Sequence, residues 1–219
     1  MIADIVGNHE IIDMNVAKEI KVWDIGVRLF HWLLVIAFII AYVSGEDNEI
    51  VHANAGYIVS ALIIFRVIWG FIGTKYARFS NFIYKPAAIL QYLRDLKNKQ
   101  PSHYLGHNPA GGIMVIVLLV SLFLSCWSGI IVYGQEGHGP LAGNDIQLIS
   151  NAMADTDKNH DEDSDHEWME EAHELLSNFT LLLVLLHIMG VLIGSKLHHE
   201  NLIKVMITGR KPLNNKPNK

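Results

Sequence analysis

H-E-L-L-S-N-F-T-L-L-L-V-L-L-H-I-M-G-V-L-I-G-S, residues 173 to 195, decides how the rest of the chain is read. From Thr180 to Leu186 it offers water no polar face, and its length matches the ~20 apolar residues that a ~30 Å hydrocarbon slab requires. Backbone amides in lipid have no water to bond with, so such a segment is a helix. It also carries two histidines, His173 and His187, fourteen residues apart. At 100° per residue they return to within about 40° of one face, roughly 21 Å apart along the axis. One belongs near each surface of the membrane.

Three further stretches qualify as spans: 27–45, 52–73 and 112–134. With 51% hydrophobic residues the chain is too apolar for an ordinary soluble domain, and a soluble four-helix bundle would need polar faces that L-L-V-I-A-F-I-I-A lacks. The 17 Lys and Arg residues are placed unevenly. Lys18, Lys21 and Arg28 lie before or at the first span; Lys75, Arg78, Lys85, Arg94, Lys97 and Lys99 lie between the second and third. Lys196, Lys204, Arg210, Lys211, Lys216 and Lys219 follow the fourth, whereas Lys158 stands alone in the other two loops. The positive-inside bias puts both termini and loop 74–111 in the cytoplasm. The fold class expected is all-α: an integral membrane four-helix bundle with both termini cytoplasmic. Its parts are an N-terminal segment (1–26), the bundle (27–195) with loop 74–111 and acidic outer loop 135–172, and a cytoplasmic tail (196–219).

The first twenty residues hold Asp4, Glu10, Asp13 and Glu19 and have no basic stretch before an apolar run, so they do not read as a cleaved secretory signal. D-T-D-K-N-H-D-E-D-S-D-H-E, residues 155 to 167, reads as a solvated, partly mobile acidic segment. As a calcium loop starting at Asp155 it would place His160 and His166 where glycine and the closing glutamate belong. Clustered charge of one sign there suits docking of a basic partner. Cys126, the one cysteine, reads as a packing residue, and Y-K-P-A-A-I-L-Q-Y-L-R-D-L as an amphipathic helix at the interface.

Histidines within spans are rare and usually mark function. The topology follows from lysine and arginine alone, yet it pairs the histidines by depth: His52 with His173 outside, His31 with His187 inside. Two imidazoles facing each other at one depth can ligate an iron from both sides, and a haem between them fills a bundle interior. Two pairs imply two haems. Zinc would need further Cys or carboxylate ligands, which the spans do not supply. Arg66, fourteen residues after His52 on the same face, is placed for a haem propionate at the inner level.

V-W-D-I-G-V-R-L-F-H-W (22–32), H-A-N-A-G-Y (52–57), R-V-I-W-G-F-I-G-T-K-Y-A-R-F (66–79), Y-L-G-H-N-P-A-G-G (104–112), the paired histidines of the last span and E-N-L-I-K-V-M-I-T-G-R-K (200–211) together resemble the prokaryotic cytochrome b561 family. That family includes the b-type cytochrome subunits of membrane-bound nickel-iron hydrogenases. The resemblance implies two haem b groups on His31, His52, His173 and His187, and an electron-transfer subunit rather than an enzyme in its own right. It implies exchange of electrons between quinone and a periplasmic partner, either a c-type cytochrome or a hydrogenase-like redox subunit. The acidic stretch from Asp155 to Glu171 departs from the pattern of the hydrogenase subunits. His103, His107 and Asn108 are the candidates for a quinone or propionate environment, and a bound quinone is expected. No nucleic-acid partner is expected. Two other functions compete: a superoxide oxidase, for which the outer loops are too acidic, and a membrane metal-ion carrier without haem.

Overall fold

The computed structural model describes residues 19–98, 102–142 and 162–212. Among the described residues, four helices are long and apolar enough to cross a membrane. They are α1 (Ile25–Ser44), α2 (Glu49–Ile72), α4 (Pro109–Gln135) and α5 (Glu162–His198), the last with side chains described from residue 167 on. Between α2 and α4 lie a 3-10 turn (Phe79–Asn81) and α3 (Pro86–Lys97). After α5 come α6 (Leu202–Thr208) and a short strand β2 (Arg210–Pro212), which pairs antiparallel with β1 (Glu19–Lys21).

Close packing runs from α1 to α2, from α2 to α4 and from α4 to α5. Helices α1 and α5 have no comparable packing among the described residues, and they meet where the Tyr42 hydroxyl donates to Asn178 Oδ1 at 2.9 Å. The bundle therefore has two ends of different character. One end holds the start of α1, the end of α2, α3, α6 and the β pair, and is rich in Lys and Arg: the basic end. The other carries exposed Glu46, Asp47, Glu49 and Glu136: the acidic end.

Helices α1, α2 and α4 each start on a side chain that replaces the missing helical acceptor for the first N–H groups. Asp24 accepts from Val27 N at 3.0 Å, Asn48 from Val51 N at 3.0 Å and Asn108 from Gly111 N at 2.7 Å. These caps explain why the helices begin before the apolar runs that announce them. Span 27–45 becomes Ile25–Ser44, and span 112–134 becomes Pro109–Gln135.

The largest difference is in the fourth span. The acidic run was expected to be solvated and partly mobile, but from Glu162 onward it is helical and continuous with α5, and Met169 is buried. Charge at helical spacing outside hydrocarbon is compatible with helix, because the carboxylates remain in water while the backbone bonds internally. Residues 155–161, His160 among them, lie outside the described residues, as does the His166 side chain. The amphipathic helix expected in loop 74–111 forms as α3.

The bundle core is built on Ala37, Val59, Ile63 and Leu122, with Cys126 packed beside them as a small residue. Polar groups join α4 to α5. Thr180 is fully buried, bonds to Ser121 Oγ across the interface, and lies 3.2 Å from Ser125 Oγ. In lipid, where apolar burial adds little to helix association, such hydroxyl contacts and close packing hold helices together.

Candidate functional site

At the acidic end, His52 on α2 and His173 on α5 face each other. Their ring centroids are 5.9 Å apart and the ring planes cross at 85°. His52 Nδ1 lies 2.8 Å from the Ala41 carbonyl of α1. His173 Nδ1 lies 3.0 Å from the Ser125 carbonyl of α4 and 3.0 Å from Ser128 Oγ. A carbonyl only accepts, so each ring carries its proton on Nδ1, and the Nε2 lone pair is left for a metal. A metal–imidazole bond is about 2 Å long. With about 1 Å more from nitrogen to ring centre, two imidazoles sharing one metal hold their centroids about 6 Å apart. The observed separation fits.

At the basic end, His31 on α1 has a buried Nδ1 with no partner among the described residues. Arg66 of α2 is 3% exposed, so it does not reach along the helix to open water. Its guanidinium donates through Nη2 to the Ala77 carbonyl at 3.1 Å and lies over the rings of Phe79 and Phe82, 5.0 and 5.8 Å from their centroids. Nη1 is buried and without a partner among the described residues. Buried donors are nearly always satisfied. A haem offers iron to imidazole and a propionate to guanidinium, so the donor set at this end fits that cofactor.

The three loop candidates have separate surroundings. Asn108 caps α4. His107 packs between Trp23 and Phe82, with ring centroids 4.7 and 4.6 Å away. Burial, with the Arg66 and His187 charges beside it, lowers its pKa to about 3, so the ring is neutral at ordinary pH. His103 belongs to a different cluster: its Nε2 is 2.7 Å from Glu200 Oε1, and its ring is 5.6 Å from that of His198.

Several residues escaped the sequence reading. Asp24, besides capping α1, accepts from Trp69 Nε1 at 3.2 Å and from Thr74 Oγ1 at 2.5 Å, so it ties the start of the His31 helix to the end of the Arg66 helix. Burial works to raise its carboxyl, but the bonds from Thr74, Val27 and Trp69 outweigh this and hold it below the usual range. Its position just before an apolar run is a capping signal legible in sequence. Ser121, Ser125 and Ser128 recur at helical spacing on an apolar helix, a polar stripe that also could have been found. Gly129 is one of the span glycines that the sequence itself marks as points of close approach, and a Cβ there would lie 2.8 Å from His173 Cε1.

A membrane helical bundle that sets imidazoles from two separate helices against each other, His52 with His173, has the makings of a b-type cytochrome. Residues 22–209 match the family described as prokaryotic cytochrome b561, and the chain belongs to that family, which implies haem b as its cofactor. It is similar to the probable Ni/Fe-hydrogenase B-type cytochrome subunit of Azotobacter vinelandii, 24% identical over 53% of this chain and 60% of that one. The probable Ni/Fe-hydrogenase 1 B-type cytochrome subunit of Escherichia coli (strain K12) is 26% identical over 52% and 60%. The chain thus spans 60% of the length of each of these relatives. The corresponding subunit of Cupriavidus necator is 22% identical over 95% of this chain and 94% of its own. No solved structure matches.

Proposed function

We propose that this chain is a diheme b-type cytochrome of the bacterial inner membrane that passes electrons between quinone and a redox partner docked at its acidic end. The observation that carries the reading is the His52–His173 pair, with centroids 5.9 Å apart and both Nδ1 protons held by carbonyls. His31 and His187 would hold the second haem, with Arg66 as the propionate's partner. When bound, haem b supplies a one-electron couple at its iron.

The protein's own contribution is placement. Ala41 and Ser125 orient the ligand rings, while Asp24 fixes the α1–α2 junction that sets His31 against Arg66. The apolar helices keep water from both levels. His107, neutral and wedged between two aromatic rings, forms a wall on which a quinone could sit at the basic end. The positive-inside bias makes the basic end cytoplasmic and the acidic end periplasmic.

That the relatives are probable Ni/Fe-hydrogenase subunits favours a hydrogenase-like subunit as the partner over a c-type cytochrome. Either would meet the exposed Glu46, Asp47, Glu49 and Glu136. The same acids repel superoxide, and membership of a b-type cytochrome family weighs against a carrier without haem. The test is a pyridine haemochrome titration of the purified chain with a reduced-minus-oxidised spectrum. Two b-type haems per chain are expected; a colourless preparation overturns the reading.

A further inference from the structure

We propose that Ser128 is a positioning residue for His173, and that with the Ser125 carbonyl it lowers the midpoint potential of the haem held at that level. The inference rests on the haem reading above and adds to it which side chain tunes one of the two sites.

Ser128 Oγ donates to the Ser125 carbonyl at 3.0 Å. Serines in helices often make this back-bond and nothing more. Here the hydroxyl's lone pairs also face His173 Nδ1 at 3.0 Å, and the Ser125 carbonyl lies at the same distance. The Nδ1 proton is therefore shared between two acceptors. Both serines are buried, 9% and 5% exposed, so water does not compete for the proton. Partial withdrawal of that proton makes the imidazole a stronger donor through Nε2, and a stronger donor stabilises ferric over ferrous iron.

Two neighbours make the arrangement specific to this site. Gly129 lacks the Cβ that would press on the imidazole, so the ring can lie against the α4 backbone. Thr180, seven residues along α5 from His173, bonds to Ser121 and Ser125 and fixes the register of the two helices. The His31 ring has no equivalent acceptor at Nδ1 among the described residues.

The experiment is a potentiometric titration of the purified chain and of Ser128→Ala and Ser128→Thr, with the His52–His173 haem assigned as the one that His52→Ala removes. In Ser128→Ala the midpoint of that haem is expected to rise while the other stays put, and Ser128→Thr, which keeps the hydroxyl, is expected to restore it. If Ser128→Ala instead loses that haem, retention at the original midpoint in Ser128→Thr supports the inference, and loss or the same shift in both variants overturns it. A Ser128→Ala chain with two haems and unmoved or lowered potentials also overturns it, leaving the haem reading intact. A wild-type chain without b-type absorbance overturns both.

Discussion

The Glu200 carboxylate and the Lys211 ammonium meet at 2.8 Å with side chains only 2% and 6% exposed, and Lys211 also donates to the Tyr104 carbonyl at 2.7 Å. The pair joins the turn between α5 and α6 to the β2 strand and to the loop before α4. Lys211→Met should leave a buried carboxylate without its cation, at a cost of about 3–5 kcal/mol. Thermal unfolding in detergent checks this; a midpoint within a degree of wild type would contradict it. His103→Ala, at a half-exposed partner of the same carboxylate, should cost much less.

Acid should weaken the fold in two windows. His107 has a folded pKa of about 3 against an ordinary 6.5. The unfolded chain therefore takes up a proton that the folded chain refuses, and the stability this represents is complete above pH 6.5 and declines as pH falls towards 3. Burial tends to raise the Glu200 carboxyl, but the bonds from Lys211 and His103 prevail and hold it below its ordinary 4.5. Its contribution is complete above 4.5 and is lost only below that. Denaturant titrations across pH should show the first decline flattened in His107→Phe and the second in Glu200→Gln. Unchanged profiles would contradict the assignment.

Glycine substitutions should divide by site. Gly129→Ala places a methyl 2.8 Å from His173 Cε1, whereas a Cβ at Gly194 meets only the far end of the Leu202 side chain at 3.4 Å. The first should weaken or abolish binding of the haem at the acidic end; the second should leave the spectrum unchanged. Haem content per chain is the readout, and equal loss in both variants would refute the distinction.

The two haems should differ in potential, the one at the His52–His173 level being lower. Its proposed ligands, His52 and His173, both donate to carbonyls at the acidic end, while the other haem would lie near the buried Arg66 cation. Removing that charge in Arg66→Ala should lower the higher midpoint, and Arg66→Lys should not restore it fully, because an ammonium cannot match the guanidinium's planar contacts with Phe79 and Phe82. The reverse order of potentials would contradict this account.

Much of the molecule was legible because lipid leaves few options. A run such as 180–186 must be a helix, and the asymmetry of Lys and Arg splits the chain into two ends before any coordinate is known. The pairing of His52 with His173 followed from that alone. Less legible was whatever depends on contacts between helices. Nothing local shows that Ser128 touches His173, since the contact depends on how α4 lies against α5. Arg66 was expected at the inner level from its position in the span, but its burial under Phe79 and Phe82 depends on how loop 74–111 folds back. The helix that starts at Glu162 was not legible, because composition speaks to core formation and not to whether a neighbouring helix extends beyond hydrocarbon. The Glu200–Lys211 pair was hidden because α6 and β2 turn back through Gly209, whose φ of +77° suits glycine.

The central claim is that four imidazoles act as two pairs. Haem content should be measured by pyridine haemochrome in the wild-type chain and in single alanine variants of His31, His52, His173 and His187. The account predicts two haems in the wild type, loss of the same spectral component in the His52 and His173 variants, and loss of the other in the His31 and His187 variants. Loss of one component by a variant from each pair, or a wild type with a single haem, would contradict it.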